Sequence, residues 1–498
     1  MKFLSQFPFI GLIVAFVFIN SCNKENFTSN PEDQPEFSTD TLNFDTVFTT
    51  LGSATYSFKI YNRKKDFIKI SRIHIVGGAN SHFKINVDGI PGHDFSNIEL
   101  RPEDSIYIFC EVKINPNDPL EKSPFIIQDS IVFITQGISQ SVLLLARGQN
   151  ANYYPSKSNK SNIFIIDLQN TTLIWDDPKP YIVYGVVYID NGILEIAAGT
   201  RVHFFGGITR TKDAMGNTIF YNDGRLIVGS NASLQIKGNK DQPVILQGVR
   251  LEPTFQSVSG QWSGIFFDQL SQNNSIHYAT IKNNLIGLSF DSLAQADIQN
   301  CTFSGNSYFG MSAYASNVTA SNCLFYDQGQ SSVAIQGGGN YVFEYCTIAN
   351  FSNDESSCFV SNNFCLDPPF CTEYAKRNLK ADFVNCIFTG NNSDEFYIRI
   401  DPDASTLFNL KLDHCLLRIN ELLKPNQYPD FVKDYCDNCF LRQGLDSLFK
   451  DISKNNFRPD SLSFLEKRAK PINGIIIDLI GNNRDPMTPD LGCYEYQY

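Results

Sequence analysis

Thirteen cysteines are the residues of this chain with the most obvious capacity for chemistry, and their spacing sorts them. Cys436-Asp437-Asn438-Cys439 has the spacing of a redox pair or half a zinc site. Zinc needs four ligands and no second pair follows at a suitable distance, so a disulfide or two unrelated thiols is expected and no metal. Cys358, Cys365 and Cys371 fall in one irregular stretch. There one disulfide is expected, with Cys365 and Cys371 the candidates. Acids and bases are less telling. Glycoside hydrolysis needs paired carboxylates, and proton abstraction beside a uronate needs a base plus cations to hold the carboxylate. Between Arg250 and Lys376 the only basic residue is Lys282. Asp268, Asp291, Asp297 and Asp327 are scattered and read as solvated turn residues; calcium would enter only if they gathered. Glu252, Asp268 and Glu344 are catalytic candidates that nothing selects, and His203, His277 and His414 fall on strand patterns.

The elements that would position these groups are strands. Of 498 residues, 41 are Phe and 22 Tyr but only 4 Met, a composition that favours strands and turns over helices. Alternation in Tyr56–Tyr61, Ile68–Ile75, Phe83–Val87, Ser105–Phe109 and Ser130–Ile134 predicts a small β-sandwich over 38–150. Cys110 lies alone in one of these strands and is expected to be a buried small hydrophobe. From about 163 a repeat takes over. Ala279 and the cysteines at 301, 323, 346, 386 and 415 are separated by 22, 22, 23, 40 and 29 residues, each cysteine inside an apolar run such as Asn300-Cys301-Thr302-Phe303. A unit of 22 residues with three short strands is one coil of a parallel β-helix, in which like residues stack. The five cysteines then form a buried ladder of thiols rather than a metal array. Asn300, Asn322 and Asn385 would take left-handed bends and stack their amides, with Tyr345 and His414 as interruptions. The long interval between 346 and 386 predicts a loop near 350–380 carrying Asp354, Glu355, Asp367 and the three irregular cysteines.

These repeats, with Gln261-Trp262-Ser263-Gly264 and the ending Pro489-Asp490-Leu491-Gly492-Cys493, resemble right-handed parallel β-helix proteins, the group that includes pectate lyases, over about 175–420. The ending resembles the closing segment of Bacteroidetes β-helix lipoproteins. The resemblance implies an all-β chain, a sandwich followed by a right-handed parallel β-helix over 160–430 and a closing segment over 431–498, with Arg484, Asp490 and Glu495 as an ion-paired cover on the last coil. The residues 38–150 are similar to immunoglobulin-like modules of bacterial surface proteins. The Asn-Thr-Asp, Asp-Asp and Gly-His-Gly motifs of polygalacturonases are absent from the clear coils: Asp176-Asp177 precedes the first of them, and Gly92-His93-Asp94 lies in the sandwich.

At the N-terminus, Lys2, the apolar run Phe9–Ile19 and Ser21-Cys22 resemble a bacterial lipoprotein signal. That resemblance implies a signal over 1–21, lipidation of Cys22, and a membrane anchor in the outer membrane. Residues 22–37 read as a polar tether, and Lys24-Glu25 resembles the surface-export signal of Bacteroidetes lipoproteins, which implies display at the surface. A net charge of −12 and no basic run argue against nucleic acid as a partner. The expectation is a non-catalytic module that binds a glycan or a surface protein, with Tyr308, Tyr314 and Tyr326 stacking neutral sugars on one sheet face. The alternative is a carbohydrate lyase or hydrolase, with calcium implied only for the lyase; a purely architectural role is the third reading.

Overall fold

The computed structural model describes residues 26–49, 51, 53–114, 125–155, 163–212, 218–402, 406–444 and 448–497. Cys22 and the export signal lie outside the described residues. The chain is all-β and divides into two compact units, Met1–Asn150 and Ala151–Tyr498.

The first unit holds two five-stranded sheets. One runs Glu36–Phe37, Tyr56–Tyr61, Ser105–Val112, Phe83–Val87, Ile90–Gly92; the other Thr41–Phe48, Ile138–Gln149, Phe125–Thr135, Ile68–Ile75, Asp94–Leu100. Pairing is antiparallel except between Thr41–Phe48 and Ile138–Gln149. Alternation sends Phe58, Ile60, Ile70, Ile73, Phe83, Ile108, Ile131 and Phe133 into one core, where Phe58 and Phe133 meet edge to face at 6.2 Å. Cys110 is buried among them, and burial pushes its thiol up to about 12.

The second unit is a parallel coil with three faces. The first face stacks eleven strands, from Asn152–Tyr154 to Phe440–Leu441. The second and third faces are continuous across one corner in a fifteen-stranded sheet; within Phe309–Ser321, for example, the register slips between Tyr314 and Ser316. Inside, like packs on like: Phe267 on Phe290 and Phe303 on Phe325, each pair with centroids 4.5 Å apart.

The third face turns into the first at a single left-handed residue per coil. Tyr278, Asn300, Asn322, Tyr345, Asn385, His414 and Asn438 all have φ between 49° and 58°. The residue after each points inward, and from 301 onward it is always cysteine. Each thiol donates to the carbonyl two residues back and to one in the coil before: Cys301 to Gln299 and Ile276, Cys323 to Ser321 and Ile298, Cys415 to Asp413 and Phe383. Cys439 repeats the pattern on Asp437 and Leu412. The ladder therefore has six rungs, one more than the spacing suggested: Cys439 follows Cys415 by 24 residues, but its Cys-x-x-Cys spacing with Cys436 disguises it as half of a pair. Both Cys436 and Cys439 are free thiols.

Three further expectations need correction. Cys358 is not in a loop: Cys358–Ser361 is a second-face strand paired with Val333–Ile335 and Phe396–Arg399, and its thiol is buried. The expelled piece is a hairpin, Asn363–Cys365 with Tyr374–Lys376, and Cys365 and Cys371 are disulfide-bonded within it. The amide stack is confined to Asn322 and Asn300 (3.1 Å), since Asn385 instead exchanges bonds with the Lys470 backbone. Finally, the closing segment does not sit on the last coil. It lies along the first face and the bend row, where Leu324, Ile387 and Leu416 pack against Leu448, Phe457, Leu479 and Leu491.

Arg484 fastens this segment. Its guanidinium lies 3.8 Å from the centroid of the Tyr345 ring, donates to Asn322 Oδ1 at 2.8 Å and the Gly492 carbonyl at 3.0 Å, and pairs with Glu495 at 3.3 Å. The Asp490 carboxylate binds the backbone N–H groups of Lys467 and Tyr496, and Arg484 Nη1 reaches only the Asp490 backbone carbonyl, at 3.4 Å. Tyr345 breaks the asparagine row because the clasp needs a ring there.

Candidate functional site

The outward rows of the coil differ in what they can bind. On the second face one row runs Tyr188, Ile227, Phe266, Ser289, Ser312, Ala334, Phe359, Tyr397. Side chains alternate in and out along each strand, and in this register their inward neighbours, including Ile265, Leu288 and Met311, are buried. The row has aromatic ends and, between Phe266 and Phe359, the small side chains of half-exposed Ser289 and Ser312 and of buried Ala334; the two rings are four rungs or about 19 Å apart at ~4.8 Å per rung. At one end the Arg225 guanidinium stacks 4.3 Å from the Phe266 centroid. At the other, Phe359 and Tyr397 stack at 6.0 Å with Arg399 over Phe359. A hollow of about 260 Å³ opens there, lined by Phe309, Gln336, Glu355, Phe359, Tyr397 and Arg399.

The next row, at the corner with the third face, carries Asp268, Asp291, Tyr314 and Gln336 on successive rungs. The Tyr188 hydroxyl reaches across the intervening rung to donate to Asp268 Oδ2 at 2.9 Å. Gly229 permits that reach: a Cβ there would lie 2.7 Å from the Tyr188 oxygen. Burial raises the Asp268 carboxyl, against the Tyr188 bond, and the neighbouring Asp291 charge adds to the rise. Burial and the carboxylate together push Tyr188 up to about 12. Asp291 is exposed and accepts from the Ser292 N–H at 2.6 Å. A carboxyl raised by burial beside a second, exposed carboxyl on the adjacent rung is a pair whose environments differ as acid–base work requires.

Tyr308, Tyr314 and Tyr326 do not share a face. Tyr308 is exposed at the corner leading into the second face. Tyr314 lies on the corner row, with Phe364 of the disulfide hairpin at 4.9 Å and Arg377 at 5.7 Å. Tyr326 packs on Phe457 of the closing segment at 5.2 Å. Only Tyr314 borders the aromatic row; the coil's register, invisible to residue counting, separates the others.

The remaining candidates have structural partners. Glu252 is buried and bonded by Arg250. Glu344 is raised by burial beside the closing segment. His203 is buried with Nδ1 3.3 Å from the Gly248 carbonyl, and desolvation lowers it to about 4. His277 pairs with Asp297, and His414 with Asp413. Lys282 is half-buried and lowered by desolvation. Among the described residues no three His, Cys, Asp or Glu side chains gather as a metal-binding group. A third-face hollow of about 370 Å³ around Gln295, Asp297, Asn317 and Asn340 has no aromatic ring in its lining.

Residues 263–409 match the family model for the right handed beta helix region. This stretch is a right-handed β-helix. Among solved structures, the chain is similar to a family 123 glycoside hydrolase from Clostridium perfringens at 11% identity and a TM-score of 0.17, covering 36% of this chain and 38% of that one. It is also similar to the catalytic unit of a GH87 α-1,3-glucanase from Streptomyces thermodiastaticus, at 10% identity and a TM-score of 0.30 over 72% and 79% of the two chains. A PapD-like domain of human CEP192 matches at 11% identity and a TM-score of 0.16, over 26% and 94%. TM-scores below 0.5 carry nothing about activity. No curated protein matches the chain.

Proposed function

We propose that the second face of the right-handed β-helix binds a carbohydrate chain, in a protein held at the bacterial outer membrane by a lipid on Cys22. One observation carries this reading: the row from Phe266 to Tyr397, with rings at both ends, guanidinium groups over them and small side chains between. Rings stack the apolar faces of sugars, and Arg225, Arg399, Gln336 and Glu355 supply donors and acceptors for hydroxyls. Electrophoretic retention by a panel of neutral and acidic polysaccharides tests it. Retention by a neutral polymer that falls at least tenfold in Phe359→Ala/Tyr397→Ala supports the trough; retention unchanged in that variant refutes it. The anchor is tested separately. Wild type should take up a labelled fatty acid and sediment with membranes, and Cys22→Ser should do neither.

The Asp268–Asp291 pair favours hydrolysis as a second reading. Carboxyl groups ~5 Å apart serve double displacement, one donating the proton to the leaving oxygen and the other attacking the anomeric carbon. New reducing ends released by wild type but not by Asp268→Asn establish it. A bound polymer left at full length rejects it.

A further inference from the structure

The last coil departs from the others at one inward position. Three residues before each ladder cysteine the third face turns an apolar side chain into the core, and pairing from rung to rung aligns Ile298, Ala320, Phe343, Phe383 and Leu412. The next residue in this row, opposite Leu412, is Cys436. Two thiols therefore enter one inner corner from either side of the left-handed bend at Asn438, where each coil from Cys301 to Cys415 has a single thiol and an apolar side chain. This coil also ends the stack. Among the described strands, Cys436–Asp437 and Phe440–Leu441 are the outermost of their sheets, each held by two residue pairs on one side. Cys436 and Cys439 are accordingly half-buried, whereas the other free thiols among the described residues are buried.

We propose that Cys436 and Cys439 are a thiol–disulfide exchange pair, whose oxidation staples the last bend of the coil. The chemistry of the corner assigns the two roles. Bonds from the Cys415 and Cys436 thiols hold Cys439 below the ordinary thiol range, against desolvation. The reciprocal bond and burial push Cys436 up. Burial raises Cys323, Cys346 and Cys386 well above that range, so they are inert. The thiolate is the nucleophile in exchange. Cys439, its proton lost to solvent, attacks one sulfur of a small disulfide such as oxidised glutathione. The S–S bond of that molecule breaks, one glutathione leaves and takes up a proton, and the other stays on Cys439 as a mixed disulfide. Cys436 then loses its proton and attacks the Cys439 sulfur, and the second glutathione departs as a thiol. The pair gives up two electrons and two protons, and the oxidant takes up both. Cys415 is the competing partner, but it is buried one rung below. The bridge spans Asp437 and Asn438 and ties the outermost strands of two faces together, which opposes the fraying of a terminal rung.

The full chain, equilibrated in glutathione buffers of rising oxidised-to-reduced ratio, quenched in acid, alkylated after denaturation and mapped by mass spectrometry, tests the pair. Wild type should convert to a Cys436–Cys439 disulfide while Cys301, Cys323, Cys346, Cys386 and Cys415 stay reduced, and excess reduced glutathione should reverse the conversion. Cys436→Ser should instead trap glutathione on Cys439, at least tenfold more than wild type holds, and Cys439→Ser should take up none on Cys436. The wild-type map needs no substitution and decides the pairing if a variant misfolds. In the oxidised protein, hydrogen exchange at the Phe440 N–H, bonded to the Cys415 carbonyl at 2.8 Å, should slow at least tenfold, and exchange at the Leu324 N–H, bonded to the Cys301 carbonyl at 2.9 Å, should not change. A Cys415–Cys439 bridge, glutathione on Cys436 ahead of Cys439, or two thiols that stay reduced under a large excess of oxidised glutathione overturns the exchange pair. A bridge that forms and leaves the Phe440 rate unchanged overturns the staple.

Discussion

The bend row and the second face are stacked on the same coils, yet they treat the repeat in opposite ways. At the bend, seven successive residues share one left-handed conformation, and six cysteines follow them with one bonding pattern. On the second face the outward residue changes from Tyr to Ile, Phe, Ser, Ala, Phe and Tyr, while the inward residues stay apolar. A position that must make the same turn in each coil is fixed by backbone sterics and packing. A position that faces outward on a flat strand is free of both, so its variation records something other than the fold. The contrast predicts that changes in the bend row and under the closing segment act on stability, and changes on the second face act on ligand.

The largest effect should come from the clasp. Arg484→Met leaves Glu495 buried without its cation, and breaking a buried pair from one side costs about 3–5 kcal/mol. Urea unfolding should show that loss, and the double variant Arg484→Met/Glu495→Leu should recover part of it. A loss below 1 kcal/mol would mean that the closing segment is only loosely attached, and the stability half of the contrast would fail.

Two buried titratable groups should come next, with opposite signs. His203 is depressed from 6.5 to about 4 by desolvation, so the stability of its neutral form is present above pH 6.5 and lost as the pH falls through 4. Glu395, at a bend between faces, is raised from 4.5 to about 7 by burial, although backbone N–H groups of Asn392 and Ser357 oppose the rise. Its contribution is present below pH 4.5 and lost as the pH rises through 7. Each shift corresponds to up to about 3 kcal/mol. Between pH 4.5 and 6.5 they oppose each other and the wild-type profile should be nearly level. His203→Asn should leave stability falling with pH there, and Glu395→Gln should leave it rising. Parallel profiles in all three proteins would break the assignment.

Within the ladder, Cys323→Ala removes a buried thiol and its two weak bonds, for an expected cost of about 1–2 kcal/mol. Polysaccharide retention should not move. A retention change as large as that of the Phe359/Tyr397 variant would erase the distinction between the two rows.

How much of this was legible in the sequence follows the same division. The coil could be read from Asn300-Cys301, Asn322-Cys323 and Asn385-Cys386 because a left-handed bend and an inward thiol restrict residue type. The second-face strand Cys358–Ser361 is hidden because four residues are too few to show a period and the hairpin beside it stretches the interval to 40 residues. The Asp268–Asp291 pair was hidden for a different reason. The two acids are 23 residues apart and share no motif; only the register of the two rungs makes them neighbours. Tyr188 is further still, and its link to Asp268 depends on Gly229, on the one rung between them, lacking a side chain. The signal that could have found it was an outward glycine in an otherwise filled row.

The smallest expected effect on stability is at that link. Tyr188→Phe removes one part-buried hydroxyl bond, worth about 1 kcal/mol or less, and keeps the ring over Gly229. Its effect on the carboxyl should be larger than its effect on the fold. The Tyr188 bond stabilises ionised Asp268, so without it burial and Asp291 act unopposed and the Asp268 pKa should rise further. Carboxyl carbon chemical shifts followed over pH 3 to 8 would read the change. If the hydrolytic reading holds, the alkaline limb of the pH–rate profile should move up with the same variant, since the acid stays protonated to higher pH. A carboxyl that titrates identically in both proteins would show that Tyr188 is part of the wall and not of the chemistry, and the second face would then be a binding surface along its whole length.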